Sequence, residues 1–215
     1  RHPGPPTPLL LRTDQAPGDA VAMTAAIWSL HRSHPGRYLT AVESPWPEVF
    51  AYNPDVVPAV PGMAEVRMHY PAIHQSNERG IHFMQSFCEH LGRALGVDVP
   101  LLTNRPRLYF ADEYGQLALP PPVEDYWLVC SGGKRDFTNK LWNGYGRVVS
   151  ELSVDGGIKF VQVGEFEDDH PRLWCRNVTY MVGKTTLRQL FDLCRRARGV
   201  LCGVSLLMHV AAALE

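Results

Sequence analysis

The amino-acid sequence predicts an α/β protein with two parallel-sheet domains that face a cleft. Three observations predict this fold. An apolar segment at residues 9–12 is followed by an amphipathic helical stretch at 19–34 and a second apolar segment at 38–42, which is the order of a parallel β-α-β unit. A stretch at 111–125 is first acidic and then proline-rich, as interdomain linkers often are. The same alternation of strand and helix restarts at residue 126.

The predicted first domain spans residues 1–120. Its longest helix after the opening unit has apolar residues at helical spacing and ends at Gly96, a residue suited to the left-handed position that closes a helix. The further elements predicted here are short strands at 56–57, 65–68 and 107–110 and a helix at 77–96.

The predicted second domain spans residues 121–215. In open parallel sheets, ligands bind beyond the carboxyl ends of the strands, where loops and helix N-termini meet. The loops after these strands are therefore the candidate functional segments. The predicted strands are 126–130, 159–163, 177–181 and 199–203, and the predicted helices are 143–152, 186–197 and 206 onward.

Composition narrows the class of protein. The 215 residues are 45% hydrophobic and 20% charged, with a formal net charge of -1, so a globular protein is expected and nucleic-acid binding is not. No segment has the roughly 20 apolar residues of a membrane span. The five cysteines form no CxxC pair, which favours reduced thiols over a zinc site. We expect a cytoplasmic protein without metal or cofactor, with any membrane association peripheral at the inner face.

Gly18 and Asp19 follow the first predicted strand and open the first helix. Glycine permits a tight turn and close approach of a ligand, here on the acceptor side. The Asp19 carboxylate is a candidate general base for an acceptor hydroxyl. The alternative is a carboxylate that caps the helix N-terminus.

Residues 131–134, Ser-Gly-Gly-Lys, follow the first strand of the second domain. Backbone N–H groups in such a turn can hold phosphate, so Gly132 and Gly133 are candidate donor-binding residues. Lys134 and Lys140 add positive charge and Thr138 adds a hydroxyl. The alternative is an ordinary glycine turn with solvated lysines.

Residues 183–186, Gly-Lys-Thr-Thr, resemble the end of a phosphate-binding P-loop. That motif needs a glycine where Val178 stands, so a P-loop is excluded. Thr185 is interpreted as the N-cap of the following helix, with its hydroxyl facing a ligand.

Ser205 and His209 lie at a predicted strand–helix junction. Ser205 is placed to cap a helix whose N-terminus favours diphosphate. His209, one turn later, is a candidate donor to a phosphate oxygen, although a histidine between apolar neighbours is more often a core residue.

Two further groups are weaker candidates. Glu165 and Glu167 lie in an acidic loop suited to a ribose hydroxyl or to Mg²⁺, unless the loop is simply solvated. His69 and His74 are candidates to line an acceptor pocket.

Four segments resemble glycosyltransferase family 9, the ADP-heptose:lipopolysaccharide heptosyltransferases. Residues 9–30 resemble the family's opening strand, Gly-Asp turn and first helix. Residues 132–142 resemble its phosphate-binding loop, which ends in Lys-x-Trp. Residues 182–190 resemble its Gly-Lys-Thr helix start, and residues 205–214 resemble its His-Leu-Ala-Ala-Ala-Leu segment. The segments keep the family's order along nearly the whole chain.

The resemblance implies a GT-B fold, with an N-terminal acceptor domain and a C-terminal donor domain that is incomplete in this chain. It implies an inverting, metal-independent transfer in which Asp19 is the base. Donor contacts would come from Thr138 and Lys140 at the phosphates and from Glu165 or Glu167 at the ribose. Thr185 would lie near the nucleoside, and Ser205 and His209 at the diphosphate.

Two departures from the family pattern matter. Val204-Ser-Leu206 replaces Asp-[Ser/Thr]-Gly, which removes a carboxylate that would orient the donor sugar. The chain also ends soon after the last helix begins. A short donor sheet would expose an edge, which predicts either a complementing segment or self-association.

The function predicted is transfer of a heptose-like sugar from a nucleotide-diphosphate donor, ADP-linked by resemblance, to a hydroxyl of a glycan, a lipid-linked glycan or a small molecule. One alternative is a degenerate, non-catalytic protein that binds a nucleotide sugar. The other is a GT-B sugar-nucleotide epimerase, which needs no acceptor.

Overall fold

A computed structural model shows two compact units, Arg1–Ala111 and Asp112–Glu215. The predicted domain boundary at residue 120 lies outside the described part of the chain. The structure describes residues 4–69, 76–111, 122–136 and 138–214.

Unit 1 contains a three-stranded parallel sheet with the order β2-β1-β3. Leu9 lies opposite Thr40 on β2 and Ala64 on β3, so the carboxyl ends of all three strands lie at one edge. The elements are β1 (Thr7–Arg12), α1 (Pro17–Ser33), β2 (Tyr38–Glu43), β3 (Ala64–Arg67), α2 (Ser76–Arg79) and α3 (Phe83–Leu95).

The core of unit 1 forms where α1 covers one face of this sheet. Leu9 and Leu11 alternate to the same face of β1 and are fully buried. His31 on α1 lies 2.9 Å from the Thr40 hydroxyl, measured from Nε2 to Oγ1. Since Thr40 shares the face of Leu9, this contact fixes α1 on that side. The opening β-α-β unit is therefore confirmed.

The helix predicted at 77–96 is divided into α2 and α3. Gly80 has a φ of 58°, a left-handed conformation that ends the first segment. His82 then caps α3, because its side chain accepts a hydrogen bond from the N–H of Met84. The predicted end is confirmed, since Gly96 is the left-handed C-cap with a φ of 64°.

Two predicted strands of unit 1 are wrong. Val56 makes one isolated bridge to Thr40 instead of a strand. The segment at 107–110 runs beside α1, where the N–H of Arg107 donates to the Thr24 hydroxyl at 2.7 Å. A side-chain hydroxyl on a helix satisfies this backbone group, so no strand partner is required.

Unit 2 contains a four-stranded parallel sheet with the order β6-β5-β4-β7. The predicted elements are confirmed, with ends that shift by up to two residues. The elements are β4 (Tyr126–Cys130), α4 (Tyr145–Val154), β5 (Lys159–Gln162), β6 (Val178–Tyr180), α5 (Leu187–Arg196), β7 (Gly199–Cys202) and α6 (Leu206–Leu214).

Helices cover both faces of this second sheet. On one face, Val129 and Phe160 form a cluster with Tyr145 and Val149 of α4. On the other face, the buried hydroxyl of Tyr126 donates to the Leu193 carbonyl on α5 at 2.8 Å. A parallel sheet buried on both faces is the usual arrangement in α/β proteins.

Within the described ranges, none of the helices combines the length and the apolar character that a membrane crossing requires.

Candidate functional site

Four loops converge at the carboxyl edge of the sheet of unit 2. They are 131–134 after β4, 163–170 after β5, 181–186 after β6 and 203–205 after β7. Since the strands are parallel and adjacent in the order β6-β5-β4-β7, these loops lie side by side. The donor-binding candidates predicted from the sequence therefore come together at one edge.

The glycine loop is paired with the acidic loop. The N–H of Gly133 donates to the Asp169 carbonyl at 3.2 Å, and the N–H of Asp169 donates back at 3.1 Å. A Cβ at Gly132 would overlap the same Asp169 carbonyl. Glycine at 132 thus has a packing reason within the protein, and the Gly133 amide is engaged in this conformation. A phosphate role for these two glycines stays a prediction.

The acidic loop is in turn bonded to the loop that resembles a P-loop. The N–H of Gly183 donates to the Gly164 carbonyl at 2.9 Å, and Gly183 adopts a φ of 71°. The helix that follows is capped by Thr186, whose hydroxyl accepts from the Gln189 N–H while the Gln189 side chain accepts from the Thr186 N–H. The predicted cap at Thr185 is wrong by one residue, because this reciprocal pair requires Gln three positions after the cap.

Lys140 reaches the loop after β7. A Cβ placed on Gly203 would lie 3.1 Å from the Lys140 carbonyl and 3.5 Å from the Tyr145 hydroxyl. The side chains of Lys134 and Lys140 are exposed, and the side chain of Thr138 lies outside the described part. Two of the three predicted phosphate contacts from this segment thus lie on the same edge as Ser205.

Ser205 directly precedes α6, as predicted. Its Oγ is buried and makes no hydrogen bond of normal geometry with the described residues. The thiols of Cys130 and Cys202 lie beside it, and burial raises the pKa of the Cys130 thiol to about 11. His209 lies one turn into α6 and is half-buried.

Three helices begin at this edge and direct their N-termini toward it. They are α4, α5 and α6, with ten, ten and nine residues. The first N–H groups of a helix have no partner within the helix itself, and each helix N-terminus has a partial positive charge. At α5, the capping pair of Thr186 and Gln189 already satisfies two N–H groups. Together with the nearby lysines, the three N-termini supply positive charge at this edge, which also carries the carboxylates of the loop at 163–170.

A cavity of about 360 Å³ opens at the same edge, on the α4 side of the sheet. Trp142 is half-exposed and meets Tyr145 edge to face, with 5.0 Å between the ring centroids. An exposed aromatic ring beside backbone amides suits a ligand with both planar and anionic parts. The lining residues are Ser131, Gly132, Leu141, Trp142, Asn143, Asp169 and Pro171.

Glu165 and Glu167 are exposed on the loop after β5. They flank Phe166, which is 80% exposed. Their carboxylates are accessible to a ligand hydroxyl, and their predicted contact with a ribose is untested.

His170 was not predicted as a site residue. Its side chain is 3% exposed, and neither ring nitrogen makes a hydrogen bond with the described residues. Burial lowers the pKa of this imidazole. The ring packs on Gly164, where a Cβ would overlap it. The close packing therefore holds a neutral histidine within the loop.

Gln162 was also missed, although it is fully buried on β5 and bonded to the loop ends around the cavity. The sequence carries a signal for it. A single amide stands between Val161 and Val163 in an otherwise apolar strand, and a buried amide needs hydrogen-bond partners.

In unit 1, Gly18 and Asp19 lie in the first turn of α1, at the carboxyl end of β1. The N-cap is Ala16, so Asp19 is not the capping residue that the alternative interpretation assumed. Acidic side chains in a first helical turn are stabilised by the helix dipole.

His69 follows β3 at the same edge of the unit 1 sheet. It packs against His90, with 4.5 Å between the ring centroids. His74 lies outside the described residues. In the described ranges, no group of three or more His, Cys, Asp or Glu residues is arranged to hold a metal ion.

Solved structures share this pair of α/β units and define the fold as GT-B-like. The dodecameric iron-containing glycosyltransferase TibC of enterotoxigenic E. coli matches 98% of this chain at 17% identity and a TM-score of 0.67. E. coli heptosyltransferase WaaC with ADP matches 97% of the chain at 15% identity and a TM-score of 0.66. The family 9 glycosyltransferase of Veillonella parvula matches 97% at 13% identity and a TM-score of 0.67.

The sequence profile of glycosyltransferase family 9 (heptosyltransferase) matches residues 74–215, which is more than half of the chain. The chain therefore belongs to glycosyltransferase family 9, as its motifs predict. It spans 56% of the length of TibC, 85% of WaaC and 78% of the Veillonella protein. No curated protein sequence matches it significantly.

Proposed function

We propose that this chain is an inverting glycosyltransferase that binds a nucleotide-diphosphate sugar at the carboxyl edge of unit 2 and transfers the sugar to an acceptor hydroxyl. The sugar is heptose-like and the donor is ADP-linked. Family membership supports the transferase class. The donor is supported by two structural neighbours, WaaC with ADP and TibC with ADP-D-beta-D-heptose.

The observation that carries this proposal is the convergence of four loops and three helix N-termini at one sheet edge. A diphosphate bears two or more negative charges, and helix N-termini favour anions. Lys134 and Lys184 lie on the loops of this edge, Lys140 lies on the segment between β4 and α4, and all three side chains are exposed. Lysine supplies a compact positive charge for phosphate oxygens.

In the proposed reaction, the Asp19 carboxylate takes a proton from the acceptor hydroxyl. The acceptor oxygen attacks the anomeric carbon as the bond to the diphosphate oxygen breaks, with inversion. Negative charge passes to the departing nucleoside diphosphate. Lys134, Lys140, Ser205 and His209 stabilise that charge through ion pairing and hydrogen bonds.

The remaining donor contacts are assigned by position on the same edge. Glu165 or Glu167 accepts hydrogen bonds from the ribose hydroxyls, and Thr185 lies beside the nucleoside. Gly132 lines the cavity beside Trp142, and Gly133 follows it in the same loop. The proposal requires no metal or other cofactor, because lysines and helix N-termini provide the positive charge.

The acceptor is proposed to bind at the carboxyl edge of unit 1, near Gly18 and His69. His74, which lies outside the described residues, is the third candidate contact. A glycan, a lipid-linked glycan and a small hydroxyl compound are the candidate classes. We place the protein in the cytoplasm, peripheral to the membrane if the acceptor is lipid-linked.

A thermal-shift panel of ADP-, UDP-, GDP- and TDP-sugars tests the donor assignment, since a ligand that binds the native state raises its melting temperature. The ADP-sugar is expected to give the largest shift. Lys140→Ala should reduce the shift. Lys159→Ala is the matched control, because Lys159 lies at the amino end of β5 and bonds to the Glu124 carbonyl at the opposite edge. An equal response in both variants, or no shift with any donor, contradicts the proposal.

One observation favours a non-catalytic alternative. Val204 is 57% exposed in the middle of the β7–α6 loop, where the family pattern has an aspartate. A protein that holds the nucleotide sugar without transferring it would bind donor in the thermal-shift panel but release no nucleotide with any acceptor. Val204→Asp would then be the variant expected to gain transfer. The epimerase alternative predicts conversion of donor without acceptor.

A further inference from the structure

We propose that Gln162 is a positioning residue that sets the shape of the donor cavity, by tying the end of β4 to the segment that follows the acidic loop. The ligand in this inference is the donor of the proposed function, so that part rests on the proposed function. The geometry rests on the hydrogen bonds around Gln162.

The Gln162 side chain uses all of its hydrogen-bonding atoms. Its Nε2 donates to the Ser131 hydroxyl at 2.9 Å and to the Pro171 carbonyl at 2.8 Å. Its Oε1 accepts from the Leu173 N–H at 3.0 Å. The Ser131 hydroxyl also donates to the Pro171 carbonyl at 3.1 Å. Three chain segments are therefore joined through one buried amide.

The position of Gln162 explains why these bonds matter. Gln162 is fully buried and Ser131 is 4% exposed, so water does not replace a lost partner at low cost. Removing the amide would leave the Pro171 carbonyl and the Leu173 N–H without this partner. Buried polar groups left unpaired are destabilising, and the chain would move to satisfy them.

Two residues of this network are also walls of the cavity. Ser131 and Pro171 both line it. Asp169, which pairs with Gly133 beneath the same opening, precedes Pro171 by two residues. Gln162 does not line the cavity. It can therefore affect a ligand only by positioning the residues that do line it.

The Gln162 network lies on the face of the sheet opposite to Cys130 and Cys202. Residues opposite in register share a face, and Gln162 lies opposite Val129, a member of the cluster packed on α4. Cys130 and Cys202 belong to the other face. The amide therefore controls the α4 side of the edge, where the cavity with Trp142 opens.

The test compares ADP binding and backbone exchange in three variants. Gln162→Leu removes the whole network while keeping a similar volume. Ser131→Ala removes one hydroxyl and leaves the bonds from Gln162 to Pro171 and Leu173. Tyr126→Phe is the matched control, since it removes one buried hydrogen bond, to the Leu193 carbonyl, at the amino end of the same sheet.

Calorimetric titration with ADP should show a Kd raised roughly tenfold by Gln162→Leu, by a few fold by Ser131→Ala and within twofold of wild type for Tyr126→Phe. Hydrogen–deuterium exchange without ligand should accelerate in the 131–134 and 163–173 segments, strongly in Gln162→Leu, more weakly in Ser131→Ala and not in Tyr126→Phe. Ser131→Ala keeps the test informative if Gln162→Leu does not fold.

The outcomes separate the two proposals. Unchanged exchange in the 131–134 and 163–173 segments contradicts the claim that the network holds these segments in place, whether or not ADP binds. Faster exchange with an unchanged Kd for ADP contradicts the role of Gln162 in shaping the cavity and leaves the proposed function intact. Failure of the wild-type protein to bind ADP overturns the proposed donor site, and the role of Gln162 in donor binding falls with it.

Discussion

The carbonyl oxygen of Asp169 occupies the space that a Cβ would need at Gly132. Two loops of unit 2 therefore touch through their backbones at the mouth of the cavity. This contact, and the two hydrogen bonds between Gly133 and Asp169, place the acidic loop against the end of β4. The geometry of the candidate donor site depends on a residue without a side chain.

Gly132→Ala is expected to displace the acidic loop. The destabilisation should be roughly 1–3 kcal/mol, the usual cost of overpacking a tight position. Gly133→Ala is the matched control, because its Cβ would lie 3.6 Å from Leu141 Cδ2, an ordinary contact. Denaturant unfolding measures both. Equal stability of the two variants would show that the loops separate easily.

Asp19→Asn is expected to abolish sugar transfer while ADP binding stays within a fewfold of wild type, because the amide cannot accept the acceptor proton. Asp14→Asn is the control. Asp14 is an exposed carboxylate paired with Arg67 at 2.7 Å near the same strand end, and such surface pairs contribute little. A steady-state transfer assay decides the matter. Normal turnover in Asp19→Asn would remove Asp19 from the mechanism.

The stability of the protein should fall as the pH drops below about 6.5. Burial lowers the pKa of His170 and of His31 from the usual 6.5, so the unfolded chain binds more protons than the folded chain in this range. The contribution of the two neutral histidines to stability is then fully present above pH 6.5. It declines as the pH falls, until the pH is below the pKa values of these histidines in the folded protein. Melting temperatures measured from pH 8 to pH 5 test this.

His170→Phe keeps a ring against Gly164 but removes one titrating group. Its melting temperature should change less steeply with acid than that of wild type. An identical acid dependence would mean that His170 is protonated as easily in the folded state as in the unfolded one.

Thiol labelling should distinguish the five cysteines. Burial raises the pKa of Cys88 and Cys130 to about 11 and that of Cys194 to about 12. The thiolate is the reactive form, so these three should react slowly with a disulfide reagent at pH 8. All five should react quickly after denaturation. Fast labelling of Cys130 in the native protein would show that the end of β4 opens.

The sequence was sufficient where local pattern and tertiary structure agree. The run at Tyr126–Cys130 is a strand as predicted, and Gly96 closes α3 as predicted. In both cases the cause lies in the residues themselves. The strand is continuously apolar, as buried parallel strands are, and the glycine adopts a positive φ without strain.

The sequence was insufficient where a distant partner decides. The backbone N–H of Arg107 is bonded to Thr24, 83 residues away in the chain, so a strand-like segment forms no strand. The reason for glycine at 132 lies at Asp169, and Gln162 is explained by Pro171 and Leu173. Such partners become visible only when the loops are placed side by side.

The candidate site shows the same division. The motif order predicted which loops share one edge, because the carboxyl ends of parallel strands meet there; their contact with a donor stays a prediction. Spacing placed the cap of α5 at Thr185, one residue early. It also gave no indication that the Gly133 amide is already bonded within the protein.

Hydrogen–deuterium exchange with and without ADP would locate the diphosphate on the chain. We expect slower exchange with ADP in the loops after β4, β6 and β7, with the strongest effect at 131–134 and at 203–209. Protection confined to other segments, or no protection at ADP concentrations that raise the melting temperature, would contradict the proposed donor site.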